Sequence, residues 1–238
     1  MGVTSRQYCP RCLRPQSQRA GGPNGCICSW VTPLVVQTQV LILQHPMEVH
    51  HPKGSARLLH LCLPGSRLHI GEVFAPEQLL QALWAPLTAG DAPRQPVLLY
   101  PSTVSAAEPP ATRYPLCAVP AQAARVRLVV LDGTWRKSRK MLYLNPPLHA
   151  LPRLVLAGEP PSAYQIRKAH QPAQLSSLEA CAAALAQLEG QGDVTRFGPL
   201  LAAFSALVAQ QCCFGFEAAS AVHSARDTGQ LFTPPVGD

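Results

Sequence analysis

The chain has 238 residues, of which 47% are hydrophobic and 14% are charged, and an excess of Lys and Arg gives it a formal net charge of +7. This length and hydrophobic content exclude an intrinsically disordered chain and are typical of one large domain. It contains no run of about 20 apolar residues, and residues 1–9 lack the apolar segment of a secretion signal. We therefore expect a cytoplasmic protein that does not interact with membranes.

Predicted strands and helices alternate along the chain. Apolar, β-branched runs predict strands, and apolar residues at helical spacing predict helices. In chain order, the pattern predicts a strand at 35–43, a helix at 56–63, a strand at 67–73, a helix at 76–84, strands at 96–100 and 126–131, a helix after Thr134, a strand at 153–156, and helices at 178–188 and 199–216. This order predicts an α/β fold with a mainly parallel sheet.

Four cysteines near the N-terminus follow the spacing C-x2-C-x13-C-x-C: Cys9, Cys12, Cys26 and Cys28. Four thiolates can close a tetrahedral zinc site, which can fold a segment that has no core pattern of its own. Because we expect a reducing compartment, we favour structural zinc over the alternatives of disulfides or free thiols. The remaining cysteines have apolar neighbours and are predicted to be buried thiols: Cys62, Cys117, Cys181, Cys212 and Cys213.

Residues 125–168 hold nine Lys and Arg but only two acidic residues, so this span accounts for the whole net charge. A concentrated basic surface favours a polyanionic partner such as nucleic acid, although solubility alone is the simpler alternative. The helix after Thr134 has basic residues on one arc, namely Arg136, Lys137, Arg139 and Lys140. We expect Trp135, Ser138 and Leu142 to face the core on the opposite side.

The loops that follow the strands are the expected ligand-binding regions, because ligands of open parallel sheets bind beyond the carboxyl ends of the strands. The loop after residue 43 contains a His45-Pro-x-Glu48 turn, for which a capped turn without a metal is the simpler interpretation. The loop after residue 131 contains Asp132, a glycine, and Thr134, which can cap the next helix. A capping box, Ser176-x-x-Glu179, precedes the helix at 178–188.

Six motifs in a fixed order resemble those of the DTW-domain family. They are Cys9-x2-Cys12 with Cys26-x-Cys28, His45-Pro-x-Glu48, Tyr100-Pro101-Ser102, Leu131-Asp132-Gly133-Thr134-Trp135, Ser162-x-Tyr164-x-Ile166-Arg167-Lys168, and Leu175-Ser176-Ser177-Leu178-Glu179-Ala180. The order is more specific than any single motif, and it extends from about Cys9 to Leu188. One departure is Ser177, where the family pattern usually has Thr. The chain most resembles the bacterial tRNA-uridine aminocarboxypropyltransferases of this family.

The resemblance implies transfer of the 3-amino-3-carboxypropyl group from S-adenosylmethionine to N3 of a tRNA uridine, which yields acp3U and methylthioadenosine. It also implies a SPOUT-like α/β fold with a knotted cofactor-binding region towards the C-terminus. We accordingly expect a zinc-binding segment at 1–30, a catalytic domain at 31–220 and a tail at 221–238. A Rossmann-type methyltransferase is disfavoured because the chain has no G-x-G-x-x-G fingerprint.

The resemblance also implies roles for particular residues. Asp132 is the expected catalytic residue, in contact with the uracil N3–H or the amino group of the co-substrate, although it could merely cap its turn. The candidates for binding S-adenosylmethionine are Pro101, Ser102, Thr134, Trp135, Tyr164, Leu175, Ser176 and Ser177. The candidates for binding tRNA phosphates are Arg136, Lys137, Arg139, Lys140, Arg167 and Lys168, with Arg6, Arg11, Arg14 and Arg19 of the zinc segment as a possible extension. The alternative functions are a zinc-containing RNA-binding module without catalysis, and the same transfer onto rRNA.

Overall fold

A computed structural model describes residues 7–16, 25–101, 123–157, 175–190, 193 and 195–227, with side chains up to residue 213. The strands are β1 (Gln39–Gln44), β2 (Arg67–Ile70), β3 (Gln95–Leu99), β4 (Val126–Asp132) and β5 (Arg153–Leu154). The helices are α1 (Ala56–Cys62), α2 (Pro76–Trp84), α3 (Trp135–Leu144), α4 (Ser177–Glu189) and α5 (Gly198–Asp227).

The five strands form one parallel sheet in the order β2-β1-β4-β3-β5. β1 and β4 lie at its centre, and the burial of every residue in both strands shows that helices cover both faces. The predicted α/β class and parallel sheet are thereby confirmed. Residues 158–174 lie outside the described residues, and the knotted region expected towards the C-terminus stays a prediction.

Alternate residues of the central strands pack against different helices, because successive side chains of a strand point to opposite faces. Val40 and Ile42 belong to the cluster formed with α1, α4 and α5. Leu41 and Leu43 belong to the cluster formed with α2 and α3. In the described part of the chain, the sheet is therefore the middle of three layers, with three helices on one face and two on the other.

The cysteine segment packs onto the three-helix face. Cys9, Cys12 and Ile27 are buried in the same apolar cluster as α1 and α5. Arg14 is also buried, and its guanidinium donates hydrogen bonds to the carbonyl oxygens of Pro52 and Gly54. The expectation that Arg14 extends an RNA-binding surface is therefore wrong, because this side chain fastens the segment to the loop after β1.

Three element boundaries differ from the predicted ones. β1 begins at Gln39, where its pairing with β4 begins, rather than at residue 35. β2 ends at Ile70 rather than at residue 73, because its partner strand β1 ends at Gln44, whose carbonyl oxygen accepts the last hydrogen bond of this pairing from the amide of Gly71. α5 continues past residue 216 to Asp227, so the predicted boundary at residue 220 falls within this helix.

The scattered cysteines divide into two groups. Cys62 and Cys181 are buried, as predicted, whereas Cys212 and Cys213 are exposed on α5, so the prediction for that pair is wrong. Among the side chains of α5 that the structure describes, the buried ones lie earlier in the helix, for example at Phe204 and Leu207. Cys117 lies outside the described residues. None of the helices in the described part of the chain combines the length and apolarity needed to cross a membrane.

Candidate functional site

The ends of β1 and β4 form a topological switch point. The chain leaving β1 enters α1 on one face of the sheet, whereas the chain leaving β4 enters α3 on the other face. Adjacent parallel strands whose connections diverge in this way open a crevice at their carboxyl ends, where open α/β sheets bind their ligands. Gln44 and Asp132 are paired at this end, and the amide of His45 donates to the carbonyl oxygen of Asp132.

Asp132 joins three elements within the crevice. Its side chain is buried, with 5% of the residue exposed. Its Oδ2 accepts a hydrogen bond of 2.9 Å from Gln44 Nε2, and its Oδ1 accepts one of 2.7 Å from Ser177 Oγ. Hydrogen bonds to a carboxylate are stronger than those between neutral groups. Asp132 therefore fixes the start of α4 against the ends of β1 and β4.

The start of α4 has the predicted capping box. Ser176 Oγ accepts from the amide of Glu179, and the Glu179 carboxylate accepts from the amide of Ser176. The amide of Leu178 donates to Ser55 Oγ in the segment before α1. Ser177 completes this turn through its bond to Asp132, so the structure brings together Asp132, Ser176 and Ser177, which the motifs indicated.

The turn between β4 and α3 leaves little room for a side chain at Gly133. A Cβ atom at Gly133 would lie 3.1 Å from the Cβ of Lys137 and 3.7 Å from that of His45, so the turn packs closely against its neighbours. Thr134 caps α3 by accepting from the amide of Lys137, as predicted. Both residues thus set the position at which α3 leaves the sheet.

Trp135 does not face the core, so that prediction is wrong. The residue is 46% exposed, and its ring meets the ring of Tyr100 edge-on at a centroid distance of 6.0 Å. The core positions of α3 are instead Ser138, Met141 and Leu142. Trp135 is the first helical residue beyond the end of β4, where it lies at the mouth of the crevice beside the end of β3.

Two glutamates hold the lysines of α3. Glu48 is buried and accepts from Lys137 Nζ at 2.8 Å. Glu72 accepts from Lys140 Nζ at 2.9 Å and from His45 Nε2 at 3.0 Å, and these hydrogen bonds, that from Lys140 above all, lower the pKa of its carboxyl group. Because His45 Nδ1 accepts from the amide of Met47, its proton resides on Nε2.

Two residues beside this network were not predicted from the sequence. Glu72 was assigned to the interior of a strand, but β2 ends before it and leaves it in a loop at the carboxyl edge. Asn145 is buried and binds the carbonyl oxygens of Glu72 and Met141 and the amide of Phe74. The sequence did offer a way to find Glu72, because loops that follow parallel strands form ligand sites. Glu72 was missed because the end of β2 was predicted too late in the chain.

The basic surface is smaller than the charge count predicts, because Arg127 and Arg153 are buried. The Arg127 guanidinium binds Gln39 Oε1 and the carbonyl oxygens of Ala82, Leu83 and Ala85 at the end of α2. Burial lowers the pKa of Arg127, and the carbonyl ends of α2 compensate its charge. The Arg153 guanidinium lies 5.3 Å from the centre of the Tyr100 ring.

The four N-terminal thiols have the arrangement of a metal centre. Their Sγ atoms all lie within 4.8 Å of one another, with 3.7 Å for both Cys9–Cys28 and Cys12–Cys26. A tetrahedral site with zinc–sulfur bonds of about 2.3 Å has sulfur–sulfur edges of about 3.8 Å. Backbone hydrogen bonding from Cys12 lowers the pKa of Cys9 to about 6, whereas burial raises the pKa of Cys26. These distances exclude disulfides in this structure and fit the predicted ligand set.

The other predicted residues divide between the site and the undescribed segments. Pro101 and Leu175 lie at the edges of two such segments. The residues that lie outside the described part are Ser102, Tyr164, Arg167, Lys168, Arg6 and Arg19. Their assignment to the site therefore rests on the sequence motifs alone.

Comparison with known proteins agrees with the motifs. A mouse (Mus musculus) protein named tRNA-uridine aminocarboxypropyltransferase 2 is 31% identical over 189 residues, which cover 77% of this chain and 57% of that protein. A protein of the same name from Drosophila melanogaster is 33% identical over 193 residues, covering 79% of this chain and 69% of its own. This chain thus spans little more than half of the mouse protein, and no solved structure matches it. Because residues 6–212 match the DTW domain, the chain belongs to the DTW-domain family.

Proposed function

We propose that this chain is a cytoplasmic transferase that moves the 3-amino-3-carboxypropyl group of S-adenosylmethionine to N3 of a uridine in tRNA. The observation that supports it most is the position of Asp132, the family's signature aspartate, buried in the switch-point crevice and bound to Ser177. The mouse and fruit fly relatives are named as tRNA-uridine aminocarboxypropyltransferases, which supports transfer of this group to a uridine of tRNA.

In the proposed reaction, uracil N3 forms a bond to Cγ of the methionine moiety. The bond between Cγ and the sulfonium sulfur breaks, its electron pair stays on sulfur, and methylthioadenosine leaves. The N3 proton passes to an acceptor, the role proposed for Asp132. Because three carbons are attached to the sulfonium, the product depends on which carbon the site presents to N3. The main contribution of the protein is then to orient Cγ, rather than another carbon on the sulfonium, towards N3.

The proposed contacts of S-adenosylmethionine are Leu175, Ser176 and Ser177 at the start of α4, Thr134 and Trp135 at the start of α3, and Pro101, Ser102 and Tyr164. The amides of Leu178 and Glu179 are already bound to hydroxyl groups. The amide of Ser177 has no hydrogen-bond partner among the described residues, and its position beside Asp132 makes it the first-turn donor that a polar group of the co-substrate can reach. Asp132 would thus align this donor with the end of β4.

Zinc is proposed as the structural metal of Cys9, Cys12, Cys26 and Cys28. Its role would be to fold the N-terminal segment, since the four thiolates would leave no open coordination position for a substrate. The proposed tRNA contacts are the two arginines of α3, Arg136 and Arg139, together with Arg167 and Lys168 from the sequence between β5 and α4.

The test is a reaction of purified protein with S-adenosylmethionine and unmodified tRNA, followed by mass spectrometry of the nucleosides. We expect acp3U and an equal amount of methylthioadenosine from the wild-type protein. Asp132→Asn should abolish both products while tRNA binding persists. Wild-type protein that binds tRNA but forms neither product would assign the chain to the alternative, a zinc-containing RNA-binding module, and acp3U in rRNA alone would change the substrate.

A further inference from the structure

The outer face of α3 combines two arginines with an unpacked tyrosine. At about 100° per residue, Arg136, Arg139 and Tyr143 lie within an arc of about 60°, opposite the buried Ser138, Met141 and Leu142. Tyr143 is 76% exposed. We call the three outward residues, Arg136, Arg139 and Tyr143, the Arg-Tyr stripe.

The two lysines of the same helix are held elsewhere. Lys137 and Lys140 lie on the side of α3 that faces the loops after β1 and β2, where Glu48 and Glu72 bind them. Transfer of Lys137 to a phosphate would leave the carboxylate of Glu48 buried without this partner, which is costly. Arg136 and Arg139, by contrast, have no carboxylate partner among the described residues. The positively charged side chains of α3 that remain available to a ligand are therefore its arginines.

The stripe begins at the crevice. Trp135, half-exposed at the crevice mouth, precedes Tyr143 by eight residues, which is about 12 Å along a helix. A single strand of RNA whose reacting base lies at the mouth can therefore extend along α3. Arginines bind phosphates, and exposed aromatic rings stack on unpaired bases.

We propose that the Arg-Tyr stripe binds the RNA substrate next to the reacting uridine, with Arg136 and Arg139 on phosphates and Tyr143 stacked on an unpaired flanking base. This proposal rests on the proposed function and deepens it, because it implies that the reacting uridine lies in a loop rather than in a helix. It also implies that Lys137 and Lys140, which the sequence indicated as contacts of tRNA phosphates, act instead as ion-pair partners of Glu48 and Glu72.

The experiment measures the tRNA affinity of the full-length chain at several salt concentrations. Replacement of both arginines, Arg136→Gln with Arg139→Gln, should lower the slope of log affinity against log salt by about 1.4 to 1.8, the value for two phosphates. Tyr143→Ala should weaken binding by roughly 5- to 150-fold, whereas Tyr143→Phe should stay within about twofold of wild type. Lys140→Gln should leave the salt slope unchanged. Unaltered melting temperatures of the stripe variants would exclude misfolding.

Two results would overturn the proposal. One is a Tyr143→Ala variant that binds tRNA with wild-type affinity. If the oligomeric mass of that variant also changes, the stripe would be assigned to a protein contact. The other is a salt slope that falls in Lys140→Gln but not in the arginine variant. The acp3U assay separates this proposal from the proposed function. Stripe variants that bind poorly to a tRNA the wild-type protein never modifies would support the RNA surface and refute the transferase.

Discussion

Lys137→Met tests whether this lysine is a structural counter-ion rather than a phosphate ligand. Met keeps the helix propensity and most of the length of the side chain but removes the cation 2.8 Å from Glu48. Removal of one partner of a buried ion pair costs about 3–5 kcal/mol. Because the Lys137 side chain is 23% exposed, water can replace part of the interaction, and we expect a loss of about 2–3 kcal/mol.

Urea unfolding of the purified protein measures this free energy directly. In thermal unfolding, the same loss corresponds to a decrease in melting temperature of about 4–12 °C for a chain of this size. Adding Glu48→Gln to Lys137→Met should recover part of the stability, because the buried charge disappears with its partner. If Lys137→Met changes the unfolding free energy by less than about 0.5 kcal/mol, the assignment of Lys137 to Glu48 is refuted.

Three further predictions concern the crevice, the loop network and the metal. Ser177→Ala should lower the free energy of unfolding in urea by about 1.5 kcal/mol and raise KM for S-adenosylmethionine, because a hydrogen bond to a carboxylate is lost. Ser177→Thr should behave as wild type, and equal effects of the two substitutions would contradict this role. The depressed pKa of Glu72 means that its ion pairs stabilise the fold fully above its ordinary pKa of 4.5 and cease to do so as pH falls through the lower folded-state value. The difference in unfolding free energy between wild type and Glu72→Gln should therefore shrink on acidification from pH 6 to pH 3, and a constant difference would argue against these pairs. Purified protein should contain one zinc per chain by elemental analysis, and chelation should lower the melting temperature; zinc-free protein of unchanged stability would rule out a structural metal.

The parallel sheet could be predicted because its central strands are continuous apolar runs. Residues 126–131 and most of 35–43 are buried on both faces, which is the pattern that parallel strands require. The end of β2 could not be predicted in the same way. Whether residues 71–73 continue the strand depends on a partner, and β1 has already ended at Gln44.

The buried arginines show why the charge count overestimated the basic surface. Arg127 occupies a strand position between apolar residues, and its sequence gives no sign that the carbonyl ends of α2 would lie around it. Trp135 was wrongly predicted to be buried. Its angle on the helix suits packing against the sheet, but the residue lies beyond the end of the sheet that it would have to cover. The loops after β1 and β4 could be predicted as part of the site because ligands of open parallel sheets bind beyond the carboxyl ends of the strands. The lysine–glutamate pairs could not, because they depend on long-range packing.

In the proposed reaction, the crevice presents Cγ, and not the methyl carbon, of S-adenosylmethionine to a tRNA uridine. The most direct measurement uses two isotopically labelled forms of S-adenosylmethionine, one labelled in the aminocarboxypropyl chain and one in the methyl group, with purified protein and unmodified tRNA. We expect the chain label to enter the tRNA as acp3U and the methyl label to leave in methylthioadenosine. Methyl label in the RNA, or no label from either form, would contradict it.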